Sequence, residues 1–302
     1  MRLAFHIDPG TVGQGGQPPR VEYTAVAFVY AYTNADRVDQ IALDFVLPAG
    51  PVDVLLDDAP VRWWAGAGNK VWVALPPNWA RGTRFNIRFQ YKSSAGFSVR
   101  RASQDNADSL QIWTPVGNAG SWFPGNHHPR DRAEISFTLT APDPYLAVAN
   151  GLRVNHFHDS GATTSVFFTK RQMATADAMV NIGRYIVDES ESESGVPLMS
   201  YTSRPVDEAK PTIQALTRQL ERFGDRLFGN PFGNLTFVET GATGSASLAG
   251  MFVVGRNQLN VRTVYWERNA ALMARQWFGE TATRGAILWS PPSASRTGAT
   301  TG

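Results

Sequence analysis

The chain has 302 residues, of which 43% are hydrophobic and 18% are charged, so it can bury a sizeable core as one large or two ordinary domains. Its net charge is only +2 and its basic residues are scattered, which argues against a nucleic-acid partner. The absence of cysteine excludes disulfides and thiolate metal sites. The opening MRLAFHID lacks the apolar core of a signal peptide, and the sequence contains no apolar run of about 18 residues. We therefore expect a cytoplasmic protein without a membrane partner.

Residues 2–190 are predicted to be β throughout. Leu3, Phe5 and Ile7 alternate with polar neighbours, and short apolar runs bounded by turn residues follow. Strands spaced this closely, without helical periodicity between them, predict an antiparallel sandwich or saddle. The predicted strands after the first lie at 23–32, 40–47, 52–56, 70–75 and 84–91.

A change of pattern follows at residues 188–195, DESESESG, which are acidic and polar and are predicted to be a linker. Beyond it, apolar residues from Ile213 to Leu227 recur at spacings of three and four, which predicts a helix. We expect a strand at 235–239 and a second helix at about 263–278.

Several short motifs occur in a fixed order. They are SWFPGNHHP at 121–129, YLAVANG at 145–151, MAT at 173–175 with GRY at 183–185, and FGNPF at 228–232. The first three resemble segments of the amino-terminal domain of aminopeptidase N-like zinc metallopeptidases, and FGNPF resembles the entry to their thermolysin-like catalytic domain. The resemblance implies a mainly β domain followed by an α/β lobe.

The stretch NAALMARQWFGE at 269–280 ends on QWFG, which resembles the end of the same family's zinc-binding helix, H-E-x-x-H-Q-W-F-G. Aligning the two QWFG segments places Ala271 and Arg275 at the positions of the metal-binding histidines and Leu272 at the position of the catalytic glutamate. The family's HExxH is thereby replaced by Ala271-Leu272-Met273-Ala274-Arg275.

The replacement residues lack the chemistry that the motif supplies. Histidines four residues apart on a helix face the same way, about 5–6 Å apart, and can share one ion. Ala271 has no ligand atom, Leu272 has no base, and the guanidinium of Arg275 has no lone pair and keeps its charge. If Arg275 is buried, we expect a carboxylate such as Glu239 or Glu267 to pair with it.

Other parts of the family's site are also missing in the alignment. The family's amine anchor, G-A-M-E-N, aligns with GSASLAG, which begins at Gly244 and ends at Gly250 and has Ser247 in place of the glutamate. A hydroxyl cannot neutralise the ammonium group of a substrate. The family's third zinc ligand, a later glutamate, aligns with Ala294.

Histidines outside this helix offer a weak alternative metal site. His156 and His158 flank Phe157, so on a strand they project to one face and could chelate a metal. His127 and His128 would point apart. We interpret all four as ordinary strand and turn residues.

Tryptophans and arginines of the β region have structural interpretations too. Trp63, Trp64, Trp72 and Trp79 are interpreted as core and sheet-packing groups, with stacking on a sugar or a peptide as the alternative. The basic pair at 100–101 is interpreted as solvated.

These observations predict a mainly β saddle or sandwich domain at 1–187, a linker at 188–195, a truncated α/β thermolysin-like lobe at 196–289 and a disordered tail at 290–302. The leading function is that of a non-catalytic pseudo-peptidase, either a protein that binds a peptide or protein partner at the residual cleft near Ser247, Leu272 and Arg275, or a fragment of a peptidase. No cofactor is expected, although the active relatives use zinc. The alternative is a metal-dependent aminopeptidase that removes N-terminal residues from peptides with an unrecognised or externally completed metal site.

Overall fold

The computed structural model describes residues 1–10, 17–101, 110–203, 229–242, 244–255, 271 and 274–276. Short 3-10 helices lie at Ala119–Ser121 and Thr175–Asp177. In chain order the strands are β1 (Arg2–Asp8), β2 (Arg20–Tyr32), β3 (Gln40–Asp44), β4 (Val52–Leu56), β5 (Ala59–Pro60), β6 (Trp63–Gly66), β7 (Lys70–Ala74), β8 (Arg84–Ser93), β9 (Ser98–Arg101), β10 (Leu110–Trp113), β11 (Arg132–Ala133), β12 (Ser136–Pro142), β13 (Leu146–Ala149), β14 (Leu152–Asp159), β15 (Ala162–Phe168), β16 (Met173–Ala174), β17 (Val180–Gly183), β18 (Ile186–Glu191), β19 (Pro197–Thr202), β20 (Leu235–Thr240), β21 (Ala246–Leu248) and β22 (Met251–Gly255).

An eight-stranded sheet in the order β14-β15-β12-β1-β2-β8-β4-β5 forms one wall of the β domain. Its neighbours are antiparallel except β1 and β12, which run parallel. Strict alternation of buried and exposed residues marks β1, where Leu3, Phe5 and Ile7 are buried as predicted. Side chains of a strand alternate between its two faces, so this pattern gives the sheet one face on the core and one in solvent.

Smaller sheets close the core against the eight-stranded sheet. They have the orders β3-β7-β6, β13-β17-β10-β9 and β11-β16. Trp122, from the SWFPGNHHP motif, is fully buried, and its ring lies 6.4 Å from the ring of Phe137. The hydroxyl of Tyr91 donates to the carbonyl oxygen of Trp122 at 2.5 Å. This motif therefore serves turn and core packing.

A second, five-stranded sheet has the order β18-β19-β20-β22-β21. Its central strands β19, β20 and β22 are parallel, and β18 and β21 are antiparallel edges. Every residue of β20 and β22 is buried, which is typical of parallel strands covered on both faces. The predicted fold class, a mainly β saddle or sandwich followed by an α/β lobe, is confirmed.

The prediction of a linker at 188–195 is wrong for its first half. β18 (Ile186–Glu191) pairs antiparallel with β19, from Ile186 opposite Thr202 to Glu191 opposite Pro197. The turn between them is closed by the amide of Ser192, which donates to the carbonyl oxygen of Val196 at 2.9 Å. Charged side chains suit an exposed edge strand because they discourage pairing with another chain, and here they do not mark a linker.

Some predicted elements lie outside the described residues, namely the helix from Ile213 to Leu227, most of the helix at 263–278 and the tail at 290–302. The boundaries 1–187 and 196–289 stay predictions. Among the helices of the described part, none has the length and apolarity needed to cross a membrane. The cytoplasmic location stays a prediction.

Candidate functional site

Gln276 joins the helical residues to the hairpin of β21 and β22. Its side chain is 2% exposed. Its Nε2 lies 2.5 Å from the carbonyl oxygen of Leu248, 2.8 Å from Oγ of Ser247 and 3.3 Å from the carbonyl oxygen of Met251. Its Oε1 accepts the amide of Gly250 at 3.0 Å. A buried amide with both ends engaged fixes the position of this helix against the hairpin.

The hairpin itself corresponds to the predicted amine-anchor segment. Ser247 lies opposite Phe252 in the ladder and is 5% exposed. Gly250 has a φ of +66°, and a Cβ there would lie 3.1 Å from Oδ1 of Asn234, so the turn requires glycine. Gly244, by contrast, has open space around it. The hydroxyl of Ser247 is therefore held inside the hairpin junction by its contact with Gln276.

Buried asparagines fasten this hairpin to the β domain. Nδ2 of Asn150 donates to the carbonyl oxygen of Ala249 at 3.2 Å, while its Oδ1 accepts the amide of Met179 at 2.7 Å. Nδ2 of Asn234 lies 3.2 Å from the carbonyl oxygens of both Gly151 and Gly250. The sequence reasoning missed this role, although the YLAVANG motif that contains Asn150 and Gly151 was the available signal.

The helical residues carry the positions aligned with the metal ligands. Ala271 and residues 274–276 are helical, and Ala271 and Arg275 are exposed while Gln276 is buried. Residues four apart share one helix face, so these two side chains lie on a common exposed face. Zinc needs nitrogen, oxygen or sulfur lone pairs, which a methyl group and a guanidinium do not offer. The residues present here do not fit a zinc ion.

The structure does not describe the remaining positions of the aligned site. Leu272, Met273 and Ala294 lie outside the described residues, so their predicted roles stay predictions. Across the residues that the structure describes, no group of three or more histidine, aspartate or glutamate side chains could hold a metal ion.

The condition for the expected pairing of Arg275 with Glu239 or Glu267, namely burial of Arg275, is not met. Arg275 is exposed and takes part in none of the ion pairs among the described residues. Glu239 is 1% exposed, and its Oε2 accepts the amide of Ser203 at 2.8 Å. The charge of Arg275 stays in water, so no cost of burial demands a partner for it. Glu267 lies outside the described residues.

Strands β9 and β10 of the β domain contact Gly241, which lies in the chain between β20 and the hairpin of β21 and β22. Nη1 of Arg100 donates to the carbonyl oxygen of Gly241 at 3.2 Å, and a Cβ at Gly241 would lie only 2.7 Å from the indole of Trp113. The basic pair predicted to be solvated is therefore more constrained: Arg100 is exposed but anchored, and Arg101 is half-buried.

The weak alternative metal site lies on edge strand β14. His156 and His158 occupy one face as predicted, opposite Ser165 and Thr163. Their Nδ1 atoms lie 3.0 Å from Oγ of Ser165 and 3.4 Å from Oγ1 of Thr163. Each imidazole is thus engaged by a hydroxyl of the neighbouring strand, which is an ordinary role for a strand histidine.

His127 is partly buried in the turn region of the β domain. Its Nδ1 lies 3.1 Å from Oγ1 of Thr175, and its Nε2 lies 3.1 Å from the carbonyl oxygen of Phe123. Burial lowers the pKa of His127 below 6.5. This environment supports the interpretation of His127 as a turn and packing group.

The tryptophans divide between core and sheet surface. Trp63 and Trp79 pack against the core cluster. Trp64 and Trp72 stack on the outer face of the three-stranded sheet, with centroids 6.3 Å apart, and the guanidinium of Arg62 lies 5.6 Å from the Trp64 ring. Packing within the sheet accounts for these contacts.

Neither a family model nor a curated protein sequence matches this chain, but solved structures do. They include an M1 zinc metallopeptidase from Deinococcus radiodurans (20% identity, TM-score 0.66) and a mutant of it (19%, 0.68). A third is a two-domain M1 zinc metallopeptidase mutant bound to L-arginine (19%, 0.65). Each match covers 93% of this chain but only 64–65% of the other, so the chain spans about two thirds of their length. At this identity the likeness concerns the fold, and the chain has the aminopeptidase N-like fold that its motifs predicted.

Proposed function

We propose that the chain is a non-catalytic relative of the aminopeptidase N-like metallopeptidases that binds a peptide or a protein segment. The proposed binding site is the residual cleft beside Ser247, Leu272 and Arg275. The observation that carries the proposal is the exposed pair Ala271 and Arg275 on one helix face, whose side chains offer no lone pair to a metal.

The charge of Arg275 and the uncharged hydroxyl of Ser247 support the same non-catalytic function. A fixed guanidinium charge at Arg275 repels a divalent cation, and it cannot be removed near neutral pH. The hydroxyl of Ser247, 2.8 Å from Nε2 of Gln276, carries no charge with which to balance an ammonium group. At the aligned positions that the structure describes, the groups that would hold a metal for activation of a water molecule and would capture a substrate amine are replaced by Ala271, Arg275 and Ser247.

The scaffold around these positions is nevertheless kept in order. Gln276, Asn150 and Asn234 bind the helix, the hairpin and the β domain to one another through buried hydrogen bonds. A solved structure with this fold is a mutant bound to a Tyr-Ser-Ala substrate, which supports a peptide as the class of occupant. An ordered scaffold that carries Ala271, Arg275 and Ser247 at the aligned catalytic positions favours binding over hydrolysis.

Metal analysis of the purified chain, combined with an aminoacyl-anilide hydrolysis assay, tests the proposal. We expect no stoichiometric zinc and no hydrolysis that a chelator abolishes. Stoichiometric zinc together with chelator-sensitive hydrolysis would refute the proposal and favour the peptidase with an unrecognised metal site. Co-purification from cells, followed by the same two assays on any complex, tests completion of the site by a second polypeptide.

A further inference from the structure

The ring of His127 lies between two oxygen atoms that can accept hydrogen bonds. Its Nε2 lies 3.1 Å from the carbonyl oxygen of Phe123, and its Nδ1 lies 3.1 Å from Oγ1 of Thr175. The hydroxyl of Thr175 in turn donates to the carbonyl oxygen of Asn126 at 2.8 Å. A hydroxyl has one hydrogen, so while Thr175 donates to Asn126 it can only accept from His127. All three hydrogen bonds form together only when both ring nitrogens carry a proton, as in the imidazolium.

The neutral ring has a single N–H, so one of these hydrogen bonds must be lost when His127 loses its proton. Phe123 is buried, and a buried acceptor that loses its partner is costly. Asn126 is exposed, so water can replace Thr175 at its carbonyl oxygen. The neutral ring is therefore expected to keep its proton on Nε2, and the hydroxyl of Thr175 turns away from Asn126 to donate to Nδ1.

Charged groups of two neighbouring strands also act on His127. Oδ2 of Asp44 on β3 accepts the backbone amide of His127 at 3.2 Å, and its Oδ1 forms an ion pair with Lys70 on β7. Burial lowers the pKa of His127 below 6.5 and outweighs the opposing effects of the Phe123 carbonyl and the Asp44 carboxylate. Lys70 adds to the lowering because it is a nearby cation. Thr175 and the ring of Phe123, whose centroid is 4.7 Å away, present uncharged groups.

We infer that His127 and Thr175 form a pH-dependent switch in the contact between the turn at 123–127 and the 3-10 helix at Thr175–Asp177. In the acid form the hydroxyl of Thr175 donates to Asn126 and joins the helix to the turn backbone. In the neutral form the same hydroxyl donates to the ring of His127 instead. The helix comes shortly before Met179, whose amide donates to Oδ1 of Asn150 at 2.7 Å, so the switch lies next to the hydrogen bonds that fasten the hairpin to the β domain.

Nitrogen NMR of the isotopically labelled chain through a pH titration tests the switch without any substitution. At neutral pH the signals of His127 should be those of the Nε2–H form, with Nδ1 unprotonated. On acidification Nδ1 should gain the proton, and the carbonyl carbon shift of Asn126 should change over the same pH range because Thr175 returns to it. A neutral ring with its proton on Nδ1, or an Asn126 signal that does not follow His127, would overturn the switch.

A matched pair of variants at Thr175 tests the part played by its hydroxyl. Thr175→Val removes the hydroxyl and keeps the size of the side chain, so the imidazolium loses a charge-assisted hydrogen bond that is stronger than the one lost by the neutral ring. Proton binding by His127 should therefore weaken by about three- to tenfold, and the change at Asn126 should shrink. Thr175→Ser keeps the hydroxyl and should keep the proton affinity of the parent chain.

The signals of His6 on β1 provide an internal control, because they should titrate alike in the parent and in both variants. Unchanged or tighter proton binding by His127 in Thr175→Val would show that the hydroxyl does not accept from the imidazolium. An equal loss of proton affinity in Thr175→Ser would show that the methyl group of Thr175, and not its hydroxyl, sets the titration. Either result would overturn the switch.

Discussion

Replacing Gln276 with methionine is expected to destabilise the junction between the helix and the hairpin. Methionine is similar in length to glutamine, so it removes the hydrogen bonds while leaving little cavity. The amide of Gly250 and the carbonyl oxygen of Leu248 would lose partners at 3.0 Å and 2.5 Å in a site that is 2% exposed. Each buried polar group left without a partner costs roughly 1–3 kcal/mol, so the expected loss in the free energy of unfolding is about 2–6 kcal/mol.

Urea unfolding followed by tryptophan fluorescence measures this loss, and hydrogen exchange at the amide of Gly250 localises it. The neighbouring variant Arg275→Ala is the matched control, because Arg275 is exposed and its removal should change stability by no more than about 0.5 kcal/mol. If Gln276→Met unfolds at the parent's urea midpoint and the amide of Gly250 stays equally protected, the hydrogen bonds of Gln276 do not stabilise the fold.

Three further predictions concern backbone strain, metal binding and pH. Gly250→Ala should lower stability by about 1–2 kcal/mol, because its φ is +66°, and thermal denaturation should show no comparable loss for Gly244→Ala, where space is open. The double variant Ala271→His/Arg275→His should gain zinc binding in calorimetric titration, because it places two imidazoles on one exposed helix face; a titration as flat as that of the parent would show that these positions do not share a face. Burial lowers the pKa of His127 in the folded state below 6.5, so the unfolded chain binds the proton first and stability should fall as pH drops below about 6.5. His127→Gln should flatten that part of the stability profile in urea unfolding at several pH values, and an unchanged slope would contradict the assignment.

Local patterns in the sequence predicted much of the β structure. Leu3, Phe5 and Ile7 alternate with polar residues and are buried, since side-chain direction in a strand has a period of two whatever the rest of the chain does. The motif SWFPGNHHP resembles a segment of the family's amino-terminal domain, and the structure buries its Trp122 fully. The acidic run at 188–195 gave a wrong prediction of a linker for its first half, because polar side chains occur both in linkers and on exposed edge strands. Only the partner strand at Pro197–Thr202 distinguishes the two.

The amino-acid types alone fix which atoms are available at the aligned metal positions, since the side chains of Ala271 and Arg275 offer no lone pair to a metal in any fold. The exposure of Arg275 and the hydrogen bonds by which Gln276 and Asn150 hold the hairpin at Ser247–Gly250 are visible only in the folded chain. The reason is physical. A hydrogen bond between Asn150 and Ala249 joins residues that are far apart in the chain, and such contacts depend on how whole sheets pack and leave no periodic trace in the sequence.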